Sequence, residues 1–148
     1  MTEIGFYHLT RSSLEDSLPL LLGRTLAAGR RAVVRCRDEA RVDQLDTALW
    51  QAPEPIWLPH GTTRSGHASL QPVWITVSED VPNEATYLFL TDGMQATDAV
   101  RFERVFDLFD GNDAASVAAA RVRWTEAKAA GHGLAYWRQE PKGWTRAG

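Results

Sequence analysis

The 148-residue sequence contains a single cysteine, Cys36. That excludes an internal disulfide and any multi-cysteine metal site, and it fits a reducing compartment. No apolar run reaches the length of a membrane span. The opening MTEIGFYHL has no basic segment followed by a long apolar one. No secretory signal is therefore expected, and the expected location is the cytoplasm. Phosphate-cradling glycines are also missing. There is no GxGxxG, and Gly23-Arg24-Thr25 lacks the preceding glycine of a Walker A loop and falls inside a helical pattern. GxSxG is absent, so a hydrolase elbow has no support. Positive charge is not in excess: the formal net charge is −3, which argues against a general nucleic-acid binder.

What is present is ordinary in amount and uneven in place. Hydrophobic residues make up 44% and charged residues 24%, which suits one globular domain over residues 1–148 with a proper core. Residues 79–113 hold nine acids against Arg101 and Arg104, whereas residues 121–148 hold six bases against Glu126 and Glu140. The C-terminal quarter is a basic region on an acidic chain. It is either a solvated surface or a docking site for something acidic.

In chain order, residues 4–9 read as a buried strand. Leucines 14, 18, 21, 22 and 26 follow at helical spacing. Pro19 belongs in a first turn, which favours Ser17 over Ser13 as N-cap, and Gly29 ends the helix. Residues 31–36 are a second strand. Asp38 caps a helix in which Val42, Leu45 and Leu49 share a face. Further strands are expected at 73–77, 87–92 and 102–109, with a short helix or turn at 98–101. Phe102, Arg104, Phe106 and Leu108 alternate onto one side of the last strand. Asp113 caps a final helix that Gly131 stops. Ala115, Ala118, Ala119, Val122 and Ala129 form an apolar stripe expected to face the sheet. Residues 133–148 supply a last strand and a tail expected to fray, flexible over 139–148. Strands alternating with helices predict an α/β fold with a mostly parallel sheet and right-handed crossovers.

Few residues invite chemistry. His60 and His67 lack a third ligand at a convincing spacing, and a loop-lining or capping role is favoured over metal binding. Cys36 lies in an apolar strand and reads as a small core residue. No paired carboxylates stand out. No cofactor is expected. The segment 37–61 is the most distinctive: its helix runs through Trp50 into the proline-rich turn APEP, then to Trp57, Leu58 and His60-Gly61. Large aromatics beside prolines pack a loop onto the core or anchor a partner, and residue physics alone favours the packing role.

Several blocks together resemble a known family. They are FYHL near the start, LDTALW followed by WLPHG, FERVFDLF, and AAARVRWTEAKAAGHGLAYWRQEPKGW. Their order and types are similar to those of the chi subunit of bacterial DNA polymerase III holoenzyme. The resemblance implies a Rossmann-like three-layer α/β sandwich without nucleotide binding. It implies a non-catalytic replication adaptor of the clamp-loader assembly that touches DNA only indirectly. It also implies two protein partners, the psi subunit and the acidic C-terminal tail of single-stranded-DNA-binding protein. Trp50 and Trp57 match the family's psi-contacting aromatics. Arg121 and Trp124 match its tail-binding helix, with Val117 standing where a lysine is expected. Val117, Arg121, Trp124 and Lys128 fall on one line of that helix, and Arg123 is a further expected rim charge. Two rivals remain on the residues alone: a small enzyme using His60, His67 or Cys36 in a pocket at the strand C-termini, or a generic interaction domain.

Overall fold

The computed structural model describes residues 2–53, 58–141 and 143–148. Strand β1 spans Glu3–Leu9, helix α1 Leu14–Ala27, strand β2 Ala32–Arg35 and helix α2 Glu39–Gln51. Strand β3 is Val73–Thr76, β4 is Tyr87–Thr91 and β5 is Arg104–Asp110. Helix α3 covers Ala114–Ala129, and the chain closes with β6, Gly133–Glu140, and β7, Gly143–Arg146. The strands form one seven-stranded sheet in the order β3-β2-β4-β5-β1-β6-β7. All neighbours pair parallel except β6 and β7, which pair antiparallel.

Strand alternation splits the interior into two cores. Tyr7, Leu9, Val34, Phe89, Phe106 and Leu108 face α1 and α2, meeting Leu18, Leu22, Leu45 and Leu49. Ile4, Phe6, Val33, Leu88, Val105 and Phe109 face the other way, meeting Ala120, Val117 and Trp124 of α3. Helices therefore cover both faces, which is the expected Rossmann-like three-layer sandwich. The crossovers through α1 and α2 move along the sheet in one direction over one face. The crossover through α3 moves in the opposite direction over the other face, so all three share a hand.

Local sequence sets most boundaries. Asp38 and Asp113 cap α2 and α3, accepting from the N–H groups of Arg41 at 2.8 Å and Ser116 at 3.1 Å. Gly29 and Gly131, at φ 75° and 84°, close α1 and α3. Beside each, paired backbone bonds run back to residues 25–26 and 127–128, a Schellman ending that needs the left-handed region.

Four expectations are corrected. Ser13, not Ser17, caps α1, with Asp16 N–H donating to its Oγ at 3.2 Å. Pro19 then sits in the second turn of the helix, and Ser17 is buried with its Oγ hydrogen-bonded to Ser12 Oγ. Phe102 is not in β5: the chain turns before Arg104, so Phe102 packs in the α3-side core. The stripe Ala115, Ala118, Ala119, Val122 and Ala129 faces solvent, with Val122 57% exposed. Residues 133–148 give two strands instead of one. The expected tail at 139–148 supplies the end of β6 and all of β7, and Trp144 of that hairpin packs on the α1-side core. Gln139 Oε1 also accepts from the N–H groups of Thr10, Arg11 and Ser12, holding the β1–α1 loop.

Candidate partner-binding surfaces

Helix α3 carries the first surface. Its inward line is Val117, Ala120, Arg123, Trp124 and Ala127. Trp124 is wedged edge-on against Phe6 at 5.4 Å and Tyr136 at 5.9 Å between ring centroids. Arg121 and Lys128 are exposed. The expected line of four thus divides: Val117 and Trp124 lean on the core, with Trp124 still half-buried, while the two cations stand outside. Arg123, expected as a rim charge, is buried. It grips Asp107 of β5 with two hydrogen bonds of 2.7 and 2.9 Å. Its charge is spent inside the fold.

Other residues complete this surface. Tyr136 and Arg138 of β6 share a strand face, since they are two apart. Burial pushes the Tyr136 hydroxyl pKa up, while the positive charges of Arg138 and Arg121 oppose that shift. Both cations therefore act on the same phenol. His8 Nε2–H donates to Gly111 O at 3.3 Å, so His8 Nδ1 is left to accept from the Tyr136 hydroxyl at 2.7 Å. Tyr136 is fixed in place by this bond. The result is an aromatic pair, Trp124 and Tyr136, with the exposed Arg121 on the same helix as the indole and the exposed Arg138 on the same strand face as the phenol. Period-two alternation in LAYWR was the available sequence signal for Tyr136 and Arg138.

The second surface surrounds the end of α2. Trp50 is 65% exposed, and its ring lies 4.8 Å from that of His60. His60 is buried beneath it. Both imidazole nitrogens are engaged, Nδ1 with Leu58 O at 2.8 Å and Nε2 with Asp46 Oδ1 at 2.9 Å. His60 therefore ties the returning loop to α2 and supports Trp50 from below. On another side of α2 from Trp50, a groove of about 630 Å³ runs between α1 and α2. Pro19, Leu20, Ala48, Ala52 and Pro53 line it together with Glu15, Asp16 and Gln51, and Leu20 is 47% exposed. Trp57 lies outside the described residues. His67 is exposed and makes no side-chain capping bond.

The crevice at the C-terminal ends of β1 and β5 is where doubly wound folds take ligands. Here it has about 470 Å³ and is lined by Glu15, Asp16, Asp92 and Asp110 against Arg11 and Arg41. Arg41 is held by Glu15 at 2.7 Å and Asp92 at 2.8 Å. Neither His60 nor Cys36 lines this crevice. Burial pushes the Cys36 thiol up to about 12, so the thiolate is disfavoured. Among the described residues no group of three or more His, Cys, Asp or Glu could hold a metal ion, and no helix is long and apolar enough to cross a membrane.

Helices on both faces of a mostly parallel seven-stranded sheet define a Rossmann-like α/β protein. The family model for the DNA polymerase III chi subunit, HolC, matches residues 1–135, and the chain belongs to that family. Its role is therefore that of an accessory subunit of DNA polymerase III in replication. The match stops before Tyr136, so most of the β6–β7 hairpin lies beyond it. No curated protein matches the chain.

Proposed function

We propose that this chain is a non-catalytic bridge in the clamp-loader assembly. The α3–β6 surface takes the acidic tail of single-stranded-DNA-binding protein, and the α2 surface takes the psi subunit or its equivalent. The observation that carries the first half is the half-buried Trp124–Tyr136 pair on the same two elements as the exposed Arg121 of α3 and Arg138 of β6. An acidic peptide ending in an aromatic needs a cation for its carboxylates and an apolar wall for its ring. A guanidinium meets a carboxylate through two parallel hydrogen bonds. Lys128, one turn beyond Trp124, adds a rim charge that speeds association more than it tightens the complex. Val117, leaning on the core, supplies aliphatic wall and no charge.

The second half rests on Trp50. An exposed indole seated on a buried, hydrogen-bonded imidazole is a rigid platform. Such anchors dominate binding energy at interfaces. Trp57 is proposed as its companion from the family resemblance.

Titration with a labelled tail peptide tests the bridge. Saturable binding that weakens as salt rises supports it. Arg121→Ala should weaken binding by about 1.5–3 kcal/mol, the range for hydrogen bonds to charged groups, without lowering the melting temperature. Equal binding by Arg121→Ala and wild type would show that the site is elsewhere.

A further inference from the structure

A third feature lies on the opposite face from α3, between α1 and the β6–β7 hairpin. It is a crevice of about 250 Å³. Aromatic side chains form its walls. Tyr7 stacks on Phe106 at 5.5 Å and on Trp137 at 6.2 Å, and Trp144 meets Tyr7 edge-on at 5.1 Å. Two guanidiniums enter it. Arg104 lies with its Cζ 4.7 Å above the Phe106 ring, and Arg24 reaches in from α1. Both act on the Tyr7 hydroxyl, whose pKa burial raises and these cations oppose.

Charge in the crevice is unbalanced. Among the described residues, neither Arg24 nor Arg104 enters an ion pair, although seven other arginines do. No carboxylate lines the crevice. Glu3 is the acid that acts on Tyr7 from outside it. The indole N–H of Trp137 is buried without an acceptor. Donors without matching acceptors, set among flat rings, ask for an anion carried on a flat body.

We propose that this crevice binds one nucleotide unit, with the base against Trp144 and Trp137 and the phosphate between Arg24 and Arg104. Stacking on aromatic side chains together with guanidinium–phosphate contact is how single-stranded nucleic acid is held. An acidic peptide fits less well, because five aromatic side chains against two guanidiniums suit a flat base with one phosphate better than a chain of several carboxylates. The net charge of −3 argues against a general nucleic-acid binder and is compatible with a single pocket. Trp137 and Trp144 lie beyond the region that the family model matches. This inference is independent of the tail and psi surfaces, and it departs from the resemblance's expectation of no nucleotide binding and only indirect contact with DNA.

Tryptophan fluorescence of the intact protein, titrated with a decamer of thymidylate, tests it, with thymidine 5′-monophosphate and inorganic phosphate in parallel. Saturable quenching by the decamer or the mononucleotide, weakening as salt rises, is the expected result. Tighter binding of the decamer identifies a strand as the source, and equal binding identifies a free nucleotide. Arg24→Gln, on an exposed helical position, should weaken binding at least threefold, and the pair Arg24→Gln with Arg104→Gln at least tenfold. Arg121→Ala should leave it unchanged. Should the double variant fail to fold, Arg24→Gln alone decides. The proposal is overturned by the absence of saturable quenching at millimolar mononucleotide and decamer. It is equally overturned by unchanged affinity in Arg24→Gln, or by an acidic peptide that displaces the decamer while the mononucleotide does not.

Discussion

Arg123 of α3 and Asp107 of β5 form a bidentate ion pair with almost no exposure, 8% for one side chain and 4% for the other. This pair sets how α3 is rolled on the sheet. Burial pushes the Asp107 carboxyl up, and the Arg123 guanidinium opposes it. Removing one partner leaves a buried charge unmatched. Arg123→Ala or Asp107→Ala should therefore lose about 3–5 kcal/mol of stability. Urea denaturation is the check. Arg121→Ala, two residues away and exposed, should shift the same curve by less than about 0.5 kcal/mol.

A second buried cation makes stability depend on pH. Arg35 is 1% exposed and donates to both carboxylate oxygens of Asp98, at 2.7 and 2.8 Å. That bond holds the Asp98 carboxyl below the usual carboxylate range, against the opposing effect of its partial burial. The unfolded chain then binds the proton more readily than the folded one. The pair's contribution is present above the ordinary aspartate pKa of about 3.9 and is lost as pH falls through the lower folded value. Melting temperatures measured from pH 6 down to pH 2 should drop less steeply in Asp98→Asn than in wild type. An unchanged slope would show that Asp98 is not the group responsible.

Trp50 separates anchoring from stability. Its ring is mostly exposed, so Trp50→Ala should change the melting temperature little. Loss of a tryptophan anchor costs about 2 kcal/mol or more in binding. A pull-down with psi, quantified by calorimetry, measures it. A folded variant that binds psi as well as wild type would remove Trp50 from the interface.

Asp46 tests how that platform is held. Asp46→Ala strips the partner from Nε2 of buried His60, which costs about 1–3 kcal/mol. Asp46→Asn keeps an acceptor oxygen at the same place and should recover much of the loss. If both variants melt alike, the His60–Asp46 bond does not hold the loop.

Tyr136 and Arg138 extend the tail site beyond α3. Arg138→Ala should weaken the tail peptide by about 1.5–3 kcal/mol if its guanidinium meets a carboxylate. Tyr136→Phe removes the hydroxyl given to His8 and keeps the ring. It should leave peptide binding within about twofold, as a wall needs only its face. A large loss in Tyr136→Phe would assign the hydroxyl a direct role with the peptide.

Much of the architecture was determined by sequence alone, because it depends on near neighbours. Helical spacing of Leu18, Leu22, Leu45 and Leu49 set α1 and α2, and Asp38, Asp113, Gly29 and Gly131 marked helix ends through their own backbone chemistry. Tertiary structure decided the rest. On α3 the alanine stripe and the Val117–Trp124 line are both apolar, and helical periodicity cannot choose between two such faces. The choice came from Asp107 waiting on β5 for Arg123, and from the slot between Phe6 and Tyr136 that takes Trp124. The path of the last residues was decided the same way, since the β6 edge, next in the chain, offers β7 its hydrogen bonds. Partners sixteen or more residues apart meet through topology, and no local pattern encodes which of them will be opposite one another.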